Sequence, residues 1–299
     1  MVGTEIETGL SVVLPNYNGR KLLQENLPSV YAALDKAELP YEIIVSDDGS
    51  TDDSVDYLKR SYPDIVVVKT RENSGFSTAC NIGINRSRYR YSCIVNTDVT
   101  FDPNYFKNSI PYFENPNLFA LKGDIVNYRE HPDNVLNVDQ DVIVYFKRGF
   151  FKFKDAAKRN KVNYDYALVL LGCCFVCRTE FIKKIGGYDE RFSPYYWEDL
   201  DLALSAVEKG YDLAYVSDCK VYHQISSTIK STQPESKIRL IANRNKFLLA
   251  WKHLDSSARW TKHIFFVLAS LCVRWIKLDW KYYAALFLAL ARYQKSKSI

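Results

Sequence analysis

The sequence predicts an α/β fold, a doubly wound and mostly parallel sheet followed by a C-terminal helical extension. Three observations predict it. Short β-branched runs alternate with amphipathic stretches through the first part of the chain, polar residues gather where those runs end, and the last part turns aromatic, apolar and basic together.

The runs Leu10–Pro15, Tyr41–Asp47, Ile65–Lys69 and Tyr91–Asn96 are apolar, rich in Val and Ile and bounded by Pro, Asp, Gly or Asn. That is the pattern of buried strands. Between them, Arg20–Leu34, Ser54–Tyr62 and Ser77–Arg86 have helical character, two of them following turn sequences at Asn16–Gly19 and Gly49–Asp52. Strand and helix alternating at this spacing give a parallel sheet with ligands outside the carboxyl ends of its strands. Farther on, Phe119–Gly123 and Val169–Cys177 have strand character, and residues 127–166 form a long mixed connection with no clear period. Glu198–Lys209 is a helix with Leu200, Ala203, Leu204 and Val207 on its core face, and Ser236–Leu254 is another.

Composition bounds the function. At 299 residues and 47% hydrophobic, the chain can bury one large core or two modest ones, and disordered or fibrous classes are excluded. The start is polar and acidic, with no apolar segment to read as a secretory signal. Seven cysteines, an odd number, fit a reducing, cytosolic compartment better than a disulfide framework. The Cys174–Cys177 C-x-x-C lies in an apolar run without a second Cys pair, so core packing is expected and not zinc. From residue 237 onward there are 13 Lys or Arg against 2 Asp or Glu, net +11, which leaves net −6 for the rest given the overall +5. A basic, aromatic tail on an acidic body points to an anionic partner at that end, and no nucleic acid is expected.

Four clusters carry possible chemistry. Asp47-Asp48-Gly49-Ser50 ends the second strand, where a carboxylate pair can accept from the N–H and O–H groups of a base or ribose, or cap the next helix. Asn96-Thr97-Asp98 ends the fourth, where a carboxylate can hold a hard divalent cation, or form an Asx turn. Tyr195-Tyr196-Trp197-Glu198-Asp199-Leu200-Asp201 puts three carboxylates at a helix start after an aromatic wall. There Glu198 and Asp201 align at i, i+3 while Asp199 diverges, so one carboxylate can enter a cleft while the others tie down structure. His223 closes the short apolar run that begins at Lys220.

The order of these motifs resembles that of family 2 glycosyltransferases, the rhamnosyltransferase-like and O-antigen-assembly members in particular. It runs from Ser11-Val-Val-Leu-Pro-Asn-Tyr-Asn-Gly19 to Glu42-Ile-Ile-Val-Ser-Asp-Asp-Gly-Ser-Thr-Asp52, then Glu72-Asn-Ser-Gly-Phe76, Asn81-Ile-Gly83 and Val95-Asn-Thr-Asp98. Gly186-Gly-Tyr-Asp-Glu-Arg-Phe192, Trp197-Glu-Asp-Leu-Asp-Leu202, Gly210 and His223 complete it. The resemblance implies a GT-A fold, with a catalytic domain over residues 1–235 (nucleotide-sugar half to about 125, acceptor half beyond) and a basic amphipathic helical segment over 236–299. It implies an inverting transfer from a UDP-, dTDP- or GDP-linked sugar, with Mg²⁺ or Mn²⁺ as cofactor. Pro15, Asn16, Asn18, Asp47, Asp48, Asn73, Asn96 and Asp98 would border the donor, and Tyr196 and Trp197 the acceptor. Asp98 and His223 would hold the metal, and Asp199, beside Glu198, would be the general base. Two positions depart from the family pattern: Asn96 replaces the first Asp of the DxD motif, and Ser205 stands where many members have Arg.

The alternatives are a catalytically altered nucleotide-sugar-binding partner subunit, a membrane-surface scaffold, and a nucleotidyltransferase. The ordered acidic motifs oppose the first two. The third would usually carry a Gly-rich basic loop after the first strand, and here only Arg20 and Lys21 are nearby. In the tail, Ile264–Val273 and Tyr282–Ala291 are too short to span a bilayer, which takes about 20 residues. Trp260, Trp275, Trp280, Tyr282 and Tyr283 interleave there with Arg259, Lys262, Arg274, Lys277 and Lys281. This suits a helix lying in the interface of an anionic leaflet, near a lipid-linked or polysaccharide acceptor at the inner face of a bacterial membrane. Packing on the catalytic domain or in a homodimer is the other reading.

Overall fold

The β-branched runs become neighbouring strands in a computed structural model of the chain, which describes residues 6–129, 131–139, 142–155, 166–168, 172–224 and 233–295. β1 (Leu10–Asn16), β2 (Tyr41–Asp47), β3 (Val66–Lys69) and β4 (Tyr91–Val95) lie parallel in the order β3-β2-β1-β4. Helices α1 (Arg20–Ala37), α2 (Ser54–Ser61) and α3 (Phe76–Arg86) connect them. Successive strand residues point to opposite faces. Val13, Ile44 and Ile94 therefore enter one core while Val12, Ile43 and Cys93 enter the other. A sheet covered on both faces needs unbroken apolar runs, which is why these strands were legible.

Beyond β4 the sheet is mixed. Along the chain follow β5 (Val99–Phe101), α4 (Tyr105–Ser109), β6 (Leu118–Arg129), β7 (His131–Asp139), β8 (Val142–Lys147), β9 (Phe150–Asp155) and β10 (Tyr166–Leu168). Then come β11 (Cys174–Arg178), α5 (Thr179–Lys184), α6 (Glu198–Glu208) and β12 (Asp212–Gln224). The main sheet runs β3-β2-β1-β4-β11-β6-β12-β5 with β7 added on β6, and β10-β8-β9 form a small separate sheet. β11 and β5 enter antiparallel, β12 parallel to β6.

Two expectations change here. The strand expected at Val169–Cys177 begins only at Cys174, and residues 169–171 lie outside the described residues. The stretch 127–166, without a clear period in the sequence, carries the end of β6 and the β6–β7 and β8–β9 antiparallel pairs. Its exposed Val135, Leu136 and Val138 on β7 break the apolar-in, polar-out alternation that marks a strand; residues 130, 140–141 and 156–165 lie outside the described residues. Cys174 and Cys177 are free thiols buried in the core, as expected.

Three helices close the chain: α7 (Glu235–His253), α8 (Ser257–Ile276) and α9 (Trp280–Lys295). α7 belongs to the core, with Phe247, Leu248, Leu249 and Ala250 buried in the cluster that holds Ile44 and Ile94. α9 packs on it through Phe247 against Tyr282 and Trp251 against Tyr293, ring centroids 5.5 Å apart in each case. His263 anchors the start of α8, placing Nδ1 2.6 Å from the Gly149 carbonyl oxygen while Trp251 Nε1 donates to its Nε2 at 3.0 Å.

The far end of α7 is braced to α6 by ions. His253 lies buried between Asp201 Oδ1 and Glu208 Oε1, each 2.8 Å away. Lys252 donates to Asp201 at 2.8 Å and to Asp189 at 3.1 Å, and Asp189 is also held by Arg191. Burial opposes the charge on His253, but the two carboxylates overcome it and raise its pKa above the usual value. At Asp189, burial is likewise outweighed by Arg191 and Lys252, which take the carboxyl down to about 2.

A group raised on folding stabilises the fold below its unfolded pKa and loses that contribution as pH rises through the folded value. His253→Gln should therefore lower the melting temperature most near pH 6, by on the order of 5–10 °C, since removing one partner of a buried pair costs about 3 kcal/mol or more. The gap should narrow as the pH rises. An equal gap at every pH from 5.5 to 9 would show that the imidazole acts by packing and not by charge.

Candidate active site

The carboxyl ends of β1, β2 and β4 open into a cleft of about 660 Å³, within the usual range for small-ligand sites. Pro15, Asn16, Tyr17 and Asp48 form one wall, Asn73, Gly75 and Phe76 a second, and Asn96 with Cys173 the floor. Opposite them stand Tyr195, Tyr196, Glu198 and Asp199, with Gln233 and Lys237 at the start of α7.

Buried side chains shape the first wall. Register pairs Asn16 with Asp47 across β1 and β2. Asn16 donates from Nδ2 to Asp47 Oδ1 at 3.0 Å and to Ser50 Oγ at 3.2 Å, and Asp47 Oδ2 accepts from Ser50 N at 3.1 Å. Asp47 is thus fully buried behind the cleft wall, holding the turn that follows β2. Asn18 has a similar role, its Oδ1 accepting from the amides of Thr51 and Asp52. Neither side chain lines the cleft, nor does that of Asp98, although the resemblance puts all three at the donor. Asp48 does line it, and also accepts from Ser74 N and Gly75 N, each at 2.8 Å. Gly75 takes φ +96°, where a side chain would be strained and its Cβ would crowd Pro194 at 3.0 Å.

Two motifs shared with the family are joints. Asn81 exchanges two hydrogen bonds with the backbone of Tyr188, both at 2.8 Å. A Cβ on Gly187 would meet Asn81 Oδ1 at 2.4 Å, so only glycine lets α3 and this loop approach.

The opposite wall carries the charge. Tyr196 and Trp197 are consecutive left-handed residues, φ 74° and 76°, immediately before α6. Trp197 packs edge-on against Phe153 at 5.9 Å and does not line the cleft, whereas Tyr196 does. Glu198 and Asp199 both line it, and Glu198 Oε2 and Asp199 Oδ1 are buried without a hydrogen-bond partner among the described residues. The expectation of a single carboxylate in the cleft is thereby corrected to two. Glu198 is the first residue of α6, with no preceding helical turn to set its direction, so it need not follow Asp201, which turns away to His253. Burial raises Glu198 to about 7. Burial and the Glu198 charge both raise Asp199, opposed by the buried Lys122 of β6.

Asp98 and His223 meet because β5 pairs antiparallel with β12, setting His223 opposite Val99. His223 Nε2 lies 3.5 Å from Asp98 Oδ1, and Nδ1 is 2.7 Å from Asn127 Oδ1. In the tautomer that donates from Nδ1 to Asn127, the Nε2 lone pair faces the carboxylate. Among the described residues no group of three or more His, Cys, Asp or Glu could hold a metal ion by itself.

Sequence reasoning missed Tyr17, Cys173, Gln233, Lys237 and Lys122, whereas Tyr195, counted in the aromatic wall, does line the cleft. Tyr17 lies inside a motif and could have been read from it; the others carry no local signal, being brought in by β6, the approach to β11 and the start of α7.

Sheet order, cleft and carboxylates define a doubly wound α/β protein whose ligand site lies at its strand ends. The chain belongs to glycosyl transferase family 2, whose model matches residues 11–186. It is 34% identical to a putative teichuronic acid biosynthesis glycosyltransferase, TuaG, of Bacillus subtilis over 231 residues, 75% of this chain and 82% of that one. It is 23% identical to an N-acetylglucosaminyl-diphospho-decaprenol L-rhamnosyltransferase of Mycobacterium tuberculosis over 277 residues, 84% of this chain and 88% of that one. Several longer curated relatives are spanned over only 20–34% of their length. Among solved structures, a mannosyltransferase from Pyrobaculum calidifontis in complex with GDP-Man and Mn²⁺ superposes with TM-score 0.56 at 16% identity, covering 96% of this chain and 75% of that one. The fold is the GT-A fold that the motifs implied.

Proposed function

We propose that this chain is an inverting glycosyltransferase moving a sugar from a nucleotide-diphosphate donor to a hydroxyl of a glycan or lipid-linked saccharide, with Asp199 as general base. The observation that carries the reading is the pair of partly unbonded carboxylates, Glu198 and Asp199, facing the strand-end wall across one cleft. The acceptor oxygen attacks the anomeric carbon on the side opposite the diphosphate. The bond to the diphosphate oxygen breaks, that oxygen leaves with the electron pair, and Asp199 takes the acceptor proton. The rhamnosyltransferase relative, whose name specifies a lipid-linked diphosphate acceptor, supports this acceptor class. A nucleotide-sugar-binding subunit without activity would have no use for two carboxylates kept unbonded at such a desolvation cost.

A positioned base contributes about 10²–10⁴-fold. Asp199→Asn should lose that much in kcat and still bind donor. Burial raises Glu198 to about 7, and burial together with the Glu198 charge raises Asp199 above the usual carboxylate range, so the capacity to accept a proton is lost as the pH falls. kcat/KM should therefore fall roughly tenfold per pH unit on the acid side. Turnover unchanged in Asp199→Asn but lost in Glu198→Gln would transfer the role to Glu198.

Asp98 and His223 fit a divalent cation, because a carboxylate and an imidazole lone pair facing each other suit a positive ion, and Asn127 fixes the ring as a supporting shell. Bound there, Mg²⁺ or Mn²⁺ would neutralise the charge developing on the diphosphate; the Mn²⁺ in the mannosyltransferase complex supports this. With so few protein ligands, binding should depend on donor phosphates. EDTA should abolish transfer, and calorimetric titration should detect Mn²⁺ binding only in the presence of nucleoside diphosphate. Full activity in excess EDTA would remove both residues from a metal role.

The α8–α9 hairpin supports a peripheral site on an anionic membrane, which we place at the cytoplasmic face. No helix among the described residues is long and apolar enough to cross a membrane. Yet Trp275, Ile276 and Phe287 are 61%, 80% and 71% exposed, and Lys262, Lys277 and Lys281 are exposed beside that surface. Aromatic and apolar side chains flanked by cations suit a headgroup interface, each cation adding about 1 kcal/mol. The wild-type chain should co-sediment with phosphatidylglycerol vesicles more strongly at low salt, and the triple Glu variant of Trp275, Ile276 and Phe287 should not. A chain that ignores vesicles but changes from dimer to monomer in the variant would make the hairpin a homodimer interface.

A further inference from the structure

The turn that delivers Glu198 and Asp199 to the cleft is unusual backbone: residues 192–197 form no strand, and they end in two left-handed non-glycine residues. Such a conformation persists only where surrounding groups over-determine it. The groups that do so come from the middle of α7. Asn245, fully buried, directs Nδ2 at the carbonyl oxygens of Phe192 (2.6 Å), Tyr195 (2.9 Å) and Tyr196 (2.8 Å). Its own Oδ1 accepts from Arg244 Nε at 2.8 Å, which fixes the amide with its donors toward the turn. Arg244 donates in addition to the carbonyls of Phe192 (3.3 Å) and Ser193 (2.5 Å). It is itself buried, and no carboxylate pairs with it among the described residues. A buried arginine committed to backbone carbonyls is a costly way merely to pack a helix. Neither residue lines the cleft itself.

We propose that Arg244 and Asn245 are positioning residues, a two-residue clamp that holds the 192–197 turn in the one conformation that aims Glu198 and Asp199 into the cleft. The proposal rests on those carboxylates being the basic pair. The clamp reaches the donor side as well, since Phe76 N donates to the Pro194 carbonyl at 3.4 Å beside Gly75, which Asp48 holds. Loosening it should misdirect the base while leaving the β1–β2 wall intact.

The test uses the full chain with Asn245→Asp, which replaces the donors by a carboxylate facing three carbonyls. Asn245→Ser, which keeps one donor, and Arg244→Lys, which keeps the charge but not the fork, provide milder variants. Titration with UDP and GDP reports whether each variant is folded and binds nucleotide. Expected for Asn245→Asp is a loss of about 100-fold in kcat, the scale of a displacement near 1 Å, with donor KM and nucleoside diphosphate affinity within about twofold of wild type. Asn245→Ser and Arg244→Lys should each lose about tenfold. In the Asn245→Asp, Asp199→Asn double variant the two losses should fail to multiply, because both act on one carboxylate. The same cycle against Glu198→Gln covers the case in which Glu198 is the base. Losses that multiply with both, a kcat within about threefold of wild type in the folded variants, or a loss confined to nucleotide affinity would overturn the clamp alone. Near-wild-type turnover in both Asp199→Asn and Glu198→Gln would overturn the base assignment, and the clamp with it.

Discussion

Loops at the ends of a sheet carry backbone groups that neither ladder nor helix satisfies, and leaving such groups buried without partners costs as much as losing hydrogen bonds. In this chain, side-chain amides and carboxylates, most of them buried, satisfy many of them. Asp48 serves the amides of Ser74 and Gly75, Asp47 that of Ser50, and Asn18 those of Thr51 and Asp52. Asn81 serves both backbone groups of Tyr188, and Asn245 serves carbonyls of the 192–197 turn. The strand-end loops need acceptors, because they present N–H groups; the 192–197 turn needs donors, because it presents carbonyls to α7. That difference accounts for acids behind the strand-end loops and an amide with a guanidinium behind the 192–197 turn.

The same constraint separates carboxylates that build from carboxylates that are available. Asp47 and Asp201 have their oxygens engaged by neutral donors or cations and are fully or almost fully buried. Glu198 is also withdrawn from water and Asp199 is half-buried, yet each keeps a buried oxygen without a hydrogen-bond partner among the described residues. Burial without compensation is what raises their proton affinity, and it is tolerated because the surrounding frame is fixed elsewhere, through Asp201 with His253 and Lys252 on the next turn of α6. One carboxylate anchors the helix, while its first two residues each keep an oxygen without a hydrogen-bond partner.

The parallel half of the fold was legible because β1 to β4 are covered on both faces and so read as unbroken apolar runs. The start of β6 was legible too, as Phe119–Gly123, but β7 to β10 were not, since β7 exposes Val135 and Leu136 and an exposed apolar residue on a strand blurs the period. The site was legible where residues adjacent in sequence act together, as Glu198 and Asp199 do. It was illegible where function depends on pairing between distant segments. Nothing around His223 signals Asn127, which reaches it only because β6 and β12 share a register. An Arg-Asn pair inside a helix likewise resembles an ordinary polar turn until the carbonyls of a loop some 50 positions earlier are set against it. The motif resemblance, finally, could rank Asp47 with Asp48 but could not tell that one faces the cleft and its neighbour the turn.

Taken along its length, α7 connects these parts mechanically. Its start brings Lys237 to the cleft, its middle clamps the turn before α6, and its end braces α6 through His253. Between these two contacts, Phe247 and Trp251 receive Tyr282 and Tyr293 of α9, and Arg292 of α9 donates to the Glu190 carbonyl just ahead of the 192–197 turn. The exposed apolar face of α8 and α9 is therefore separated from Glu198 and Asp199 by one helix and a set of ring contacts, not by a flexible linker. If the hairpin meets a membrane as proposed, the cleft would be held at a fixed height and angle above it. For a lipid-linked acceptor, whose reactive hydroxyl is itself tethered near the headgroups, such rigidity converts membrane binding into orientation of the attacking oxygen, the contribution that proximity makes to a displacement between two bound partners.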